Sequence, residues 1–228
     1  WSLRGEKPVF FAGSSGVENA LTMHWQAVGV VEKPQPLHSP GKVNQLVVVS
    51  GSAAPPTAEQ IDYALERGFV GIRLDSPCLV DPATADAERE KAVQQALTVL
   101  GNGDSVLLYS ARGPEDAAIA RTKQHMESIG LDPQTVGSRL GTQQGLILRE
   151  LLERTGLKRA CVAGGDTCGY ASKQLGIYAL ETIVPIAPGA PLCRASSHQP
   201  RFDGLQISLK GGQNGAADYF VKILNGGA

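Results

Sequence analysis

Short, β-branched apolar runs alternate with stretches of helical periodicity along this chain, and that alternation admits few folds. The runs QLVVVS (Gln45 to Ser50), FVGIRL (Phe69 to Leu74), SVLLYS (Ser105 to Ser110) and RACVA (Arg159 to Ala163) read as strands suited to the interior of a parallel sheet. Between them lie the helical patterns. One is expected to open at Thr57, which has capping-box spacing to Gln60 ahead of the stripe Ile61, Ala64 and Leu65, and to end at Gly68. A second is expected from Asp81 as cap and Pro82 in the first turn to about Gly101, a third from Pro114 to Ile129, and a fourth from Val136 to Arg154, stopped by Gly156. The last third adds apolar stretches at Tyr178 to Ile186 and Leu205 to Leu209 and a helical pattern from Ala216 to Leu224. Such an order predicts an α/β fold with a mostly parallel sheet, helices on both faces and glycine-rich turns at the carboxyl edge.

The amino-terminal part is organised separately. PVFFA (Pro8 to Ala12) reads as a strand, GSSG (Gly13 to Gly16) as a turn, and Val17 to Trp25 as a helix. From Val31 to Lys42 the chain carries Pro34, Pro36, Pro40 and Gly41 among few apolar residues, as a linker does. The expected division is residues 1–30, a linker over 31–42, and a domain over 43–228.

Glycine is over-represented, with 27 in 228 residues where a usual share is about 7%. Three strands run directly into small-residue turns: VVVSGS (Val47 to Ser52), VAGGDTCG (Val162 to Gly169) and LKGGQNG (Leu209 to Gly215). In a parallel sheet these turns share the carboxyl edge, where open α/β folds bind ligands. Bare backbone lets consecutive N–H groups face one concavity, and each following helix presents its positive end. The match is a phosphate chain, with the Ser52 and Thr167 hydroxyls and the Lys210 ammonium as further donors. Asp166, inside a glycine turn, is placed for a magnesium ion or a ribose hydroxyl, and Asp75 stands at another strand end.

Other chemistries find little support. With 21 Lys and Arg against 22 Asp and Glu there is no basic footprint for nucleic acid or an anionic membrane. No apolar run approaches the length of a membrane span. Cys78, Cys161, Cys168 and Cys193 lack metal-ligand spacing and read as free thiols of a cytoplasmic chain, so no metal site is expected from them. Gly164 to Gly169 has the G-x-x-x-x-G spacing of a P-loop, but Tyr170 and Ala171 replace its Lys and Ser/Thr, and no G-x-G-x-x-G follows a strand. No histidine falls in a glycine turn. A hydrolase using Ser15 or Cys168 is the weakest of the readings.

Four blocks in order, VVVSGSAAPPT (Val47 to Thr57), VAGGDTCG, PIAPGAPL (Pro185 to Leu192) and LKGGQNG, resemble the nucleotide-binding domain of the four-carbon acid sugar kinases over nearly all of Val43 to Ala228. The resemblance implies ATP-dependent phosphorylation of acids such as erythronate, threonate or their 3-oxo forms. It also implies a two-domain protein whose amino-terminal half binds the acid sugar through a D-D-x-T-G-A motif. Carried over by position, it implies that Ser50, Ser52, Gly164, Gly165, Asp166, Thr167, Gly211 and Gly212 line the ATP site, with Mg2+ accompanying the nucleotide. Cys168 stands where the family often has Ser, and Gln213-Asn214 replaces an Asn-aromatic pair. No D-D-x-T-G-A occurs, the chain begins at Trp1, and PVFFAGSSG is similar to the last strand-turn-helix of the family's amino-terminal domain. The expectation is a piece of a kinase, residues 1–30 being the remnant of the sugar-acid domain, that binds ATP but is inactive alone. Catalytic residues are not assigned, and the sugar acid is expected to bind through the missing half. A homodimer is left open. The alternative from a different class is a non-catalytic α/β module that senses a phosphate or nucleotide with the same cradle.

Overall fold

The computed structural model describes residue 5, residues 9–32 and residues 37–227. Two compact units divide between Leu37 and His38. In the first, helix α1 (Ser15–Ala27) is capped by Ser14, whose hydroxyl accepts the N–H of Gly16, and it buries no residue. Val9 to Ala12 are exposed and form no strand, a departure from the pattern expected there; Pro8 lies outside the described residues, as do Pro34 and Pro36 of the expected linker.

The second unit is built on a seven-stranded sheet. In chain order its elements are β1 (Val47–Ser50), α2 (Pro55–Leu65), β2 (Phe69–Arg73), α3 (Ser76–Val80), α4 (Ala85–Gly101), β3 (Ser105–Tyr109), α5 (Ala117–Ser128), a 3-10 turn (Pro133–Thr135), α6 (Val136–Thr155), β4 (Arg159–Ala163), α7 (Gly165–Gln174), β5 (Ile177–Ala187), β6 (Ala190–Ser197), β7 (Gln206–Lys210) and α8 (Tyr219–Asn225). The strand order is β2-β3-β1-β4-β7-β6-β5. The first five of these run parallel, and β6 and β5 extend the edge antiparallel. The expected α/β architecture is therefore present.

Every residue of β1 and β4 is buried because helices cover both faces. On one face Val47, Val49 and Val162 pack with α4, α6 and α7 through residues such as Val93, Leu148 and Ala171. On the other, Val48 and Cys161 pack with Ile61 of α2 and with Tyr219 and Phe220 of α8. At the amino edge the buried Arg159 donates to the carbonyls of Gly41, Ile223 and Leu224 and to Gln206 Oε1, tying α8 to the sheet.

Several boundaries shift for local reasons. Helix α2 starts at Pro55, where a missing N–H and fixed φ suit the first turn, and not at Thr57; Ala54 occupies the cap position without a side-chain bond. Asp81 does not open the long helix. It closes α3, its carboxylate accepts the N–H of Ala83, and α4 begins four residues later. The hairpin β5–β6 carries prolines at 185 and 191, which argue against strand from sequence, yet Pro188-Gly189 forms its two-residue loop with Gly189 at φ +70°.

Candidate functional site

Strands β1, β4 and β7 are neighbours, so the three glycine turns lie side by side at their carboxyl ends. Ladder bonds continue past the strands: the Gly51 N–H donates to the Ala163 carbonyl and the Gly164 N–H to that of Lys210, each at 2.9 Å. The chain then diverges. After β1 it enters α2 on one face, and after β4 it enters α7 on the other. This is a topological switch point, and the crevice it opens is the place where such sheets hold ligands.

The crevice deepens into a cavity of about 270 Å³. Six residues named from sequence line it together: Ser52, Gly164, Gly165, Asp166, Thr167 and Gly212. Bare backbone is required here. Gly164 has φ +121°, and a side chain on it would also crowd Thr167 Oγ1 at 3.0 Å. A Cβ on Gly212 would come within 2.5 Å of Ser52 Oγ, so its absence lets the third turn close on the first. Ser52 Oγ in turn accepts the Ala54 N–H at 3.2 Å, near the start of α2.

Helix α7 begins in the cavity wall with no side-chain cap. Its first intrahelical bond runs from the Cys168 N–H to the Gly164 carbonyl, which leaves the N–H groups of Gly165, Asp166 and Thr167 directed beyond the helix end. The first residues of α6, Val136 and Gly137, border the same space, so two positive helix ends converge. Helices α6 and α7 approach closely because Gly141 and Gly145 present no side chains: Cβ atoms there would lie 2.7 Å from the Tyr170 ring and 2.8 Å from Ala171 Cα.

Three residues expected in the site lie outside the cavity lining. Ser50 is fully buried, and its carbonyl accepts from the Ser110 N–H and from Gln144 Nε2. Gly211 faces Asn214, whose Oδ1 would lie 2.6 Å from a Cβ there. Lys210 is also fully buried, its ammonium donating to Thr57 Oγ1 at 3.0 Å and to the Gly212 carbonyl at 3.5 Å, and burial pulls its pKa down. The Thr57 hydroxyl in turn donates to the Gly212 carbonyl, while Gln60 donates to the carbonyls of Asn214 and Gly215. The pair that resembled a capping box thus clamps the third turn to α2.

Other cavity residues carry weak signals in the sequence. Ser76 and Ser110 follow β2 and β3 and obey the same strand-end rule as the glycine turns. Thr122 and Lys123 reach the cavity from α5, and its apolar side is formed by Ala118, Ile119, Val136 and Leu140. Gln144 of α6 touches the site from behind, through Gly51. Asp75 caps α3, accepting the Cys78 N–H, and does not line the cavity. The Cys168 thiol is held at about 11 by burial and bonds to the Val162 and Lys210 carbonyls, which makes it a poor nucleophile. Among the described residues no group of three His, Cys, Asp or Glu side chains is arranged to hold a metal, and no helix is long and apolar enough to cross a membrane.

The family described as the nucleotide-binding C-terminal domain matches residues 47–220, from β1 into α8 and across all three turns. The chain belongs to the four-carbon acid sugar kinase family, whose nucleotide-binding domain it carries over residues 47–220. It is 41% identical over 226 residues to a 3-oxo-isoapionate kinase of Paraburkholderia graminis, a match covering 99% of the chain and 48% of that protein. It is 29% identical to a 3-oxo-tetronate kinase of Cupriavidus necator, covering 93% of the chain and 45% of the relative. A D-threonate kinase of Salmonella typhimurium is 25% identical over 172 residues, 75% of the chain and 40% of that protein. The chain therefore spans about half the length of the curated relatives it matches. The crystal structure of Haemophilus influenzae protein HI1011 shares the fold at a TM-score of 0.61 and 20% identity, covering 86% of this chain and 43% of that one.

Proposed function

We propose that this domain binds ATP at the β1–β4–β7 crevice as the nucleotide half of a kinase that phosphorylates a four-carbon sugar acid of the erythronate, threonate or 3-oxo-tetronate type. The observation that carries the reading is the convergence of three side-chain-poor turns on one crevice, with the uncapped start of α7 in its wall. Backbone N–H groups at that helix start suit the phosphates, since donors and the helix dipole both favour negative charge. Ser52 Oγ adds a hydroxyl and Lys123 a cation at the cavity wall. The apolar side formed by Ile119, Val136 and Leu140 suits the purine. Lys210 and Gly211 serve from behind, holding the turn whose Gly212 lines the cavity. The names 3-oxo-tetronate kinase and D-threonate kinase among the relatives supply the four-carbon substrate class.

Phosphoryl transfer depends on positioning and charge stabilisation, so a cradle of fixed dipoles is what the nucleotide half must contribute. The donor set also fits a divalent cation: Asp166 offers a carboxylate and Thr167 a hydroxyl oxygen, adjacent residues in the same wall. Bound there, Mg2+ would neutralise charge on the phosphates. The acceptor hydroxyl and its base belong to the other half of the enzyme.

Thermal unfolding with Mg-ATP, Mg-GTP and a sugar phosphate tests the reading. Ligand at 100 times its dissociation constant stabilises the fold by about 2.7 kcal/mol, a shift of several degrees for a domain of this size. A shift with Mg-ATP is expected. A shift with the sugar phosphate alone would replace the kinase reading with a phosphate sensor.

A further inference from the structure

Gln144 sits in the middle of α6, completely buried, one layer behind the cavity. Its amide orientation is fixed by partners: Nε2 donates to the Ser50 carbonyl at 3.0 Å, and turning the group over would set oxygen against oxygen. The other end, Oε1, is a buried acceptor with no donor. That oxygen points toward Gly51, where a Cβ would lie 2.6 Å from it. The same Cβ position is also crowded by Thr167 Oγ1. Thr167 is 5% exposed, its hydroxyl makes no hydrogen bond among the described residues, and it lines the cavity. At Gly51 an acceptor lacking a donor and a hydroxyl whose proton is uncommitted therefore crowd the same small space.

We propose that Gln144 is a positioning residue that draws the Thr167 hydroxyl proton away from the cavity, so that Thr167 Oγ1 faces the ligand as an acceptor and binds the divalent cation, not a phosphate oxygen. This rests on the nucleotide reading of the same crevice. The argument is one of proton supply. A hydroxyl has a single proton, and leaving a buried amide oxygen unpaired costs about 1–3 kcal/mol. A small shift that lets the Thr167 hydroxyl donate to Oε1, a hydrogen bond the structure does not itself contain, would remove that cost and leave only lone pairs toward the cavity. A phosphate oxygen brings no proton to meet them. A hard cation takes oxygen ligands, and the exposed carboxylate of Asp166, next in the chain, supplies a second. The phosphates keep the backbone N–H groups of the α7 start, which have nothing else to bind. Residue type alone leaves Thr167 free to serve either a phosphate or the cation; Gln144 favours the cation.

The test is the ratio of ATP affinity in Mg2+ to that in EDTA, measured by titration calorimetry on this chain. Thr167→Val should bring the ratio close to one, and Thr167→Ser, which keeps the hydroxyl, should restore it. Gln144→Leu should lower the ratio by roughly tenfold, the low end of what losing an outer partner of a metal ligand costs. If Thr167→Val weakens ATP equally in both buffers and leaves the ratio intact, Thr167 is a phosphate donor and the proposal fails. An unchanged ratio in a folded Gln144→Leu variant would remove Gln144 from it. Should that variant not fold, the Val and Ser pair decides alone whether Thr167 meets the cation, and Gln144→Met repeats the positioning test with a side chain of similar length. Absence of ATP binding by the parent chain in either buffer would instead defeat the nucleotide reading itself, and this inference with it.

Discussion

Two glycines at the crevice have opposite reasons for being glycine. Gly51 is hemmed in: a Cβ would collide with Thr167 Oγ1 and Gln144 Oε1, both held by the helices that carry them. Gly165 is open: nothing lies within 4 Å of a Cβ there, and its φ is not in the left-handed region. Gly51→Ala should therefore destabilise the domain by about 1–3 kcal/mol, the usual range for overpacking. Gly165→Ala should leave stability within about 0.5 kcal/mol and lower ATP affinity by about tenfold, because its methyl stands where phosphate would approach the helix start. Chemical denaturation and calorimetry of the two variants check this. Lys210 makes a different prediction. Burial lowers its folded pKa below the value of 10.5 that an unfolded lysine has. Between the two values the unfolded chain holds more protons, so this group's contribution makes stability rise with pH across that window. Lys210→Met removes the group. The stability of the variant relative to the parent should accordingly be greatest at neutral pH and decline as pH rises toward 10.5, which urea midpoints over a pH series will show.

At the scale of elements, the site depends on how near α6 and α7 can lie. Gly145 meets backbone, Ala171 Cα at 2.8 Å, whereas Gly141 meets the ring of Tyr170, a side chain that can turn. Gly145→Ala should cost about 1–3 kcal/mol and more than Gly141→Ala, and it should weaken ATP by displacing the α7 start. Gly101, at the end of α4 with open space around it, is the control, where Ala should be neutral or stabilise by up to about 1 kcal/mol. Legibility at this scale was uneven. Helix α6 was readable from Val136 to the stop at Gly156, which adopts the left-handed φ of +78° that such a cap requires. Strand β4 was readable to the residue because the apolar run from Ala160 to Ala163 is uninterrupted, as a strand buried on both faces requires. Strand β6 was not, since Pro191 speaks against strand and only pairing with β5 and β7 overrides it. Thr57 and Gln60 had the spacing of a cap, and nothing local reveals that their partners are carbonyls more than 150 residues away.

Taken as a whole, the chain covers about half the length of its relatives, and the reading proposed for it makes the cavity the nucleotide site. Purified alone, it should bind ATP and release no additional ADP when a four-carbon sugar acid is added; a coupled ADP assay checks this, and acid-dependent turnover would mean that the acceptor site is complete within these residues. The sequence by itself determined the alternation of strand and helix and the three turns that must be free of side chains, because periodicity and glycine are local properties of the chain. It also determined the family, through four ordered blocks. Only the tertiary structure decided that β1, β4 and β7 are neighbours, that Lys210 turns away from the cavity to be buried behind the third turn, and that Gln144 and Thr167 come together at Gly51. Strand order and the direction of a side chain are set by which distant surfaces pack together, and no stretch of sequence carries that information within itself.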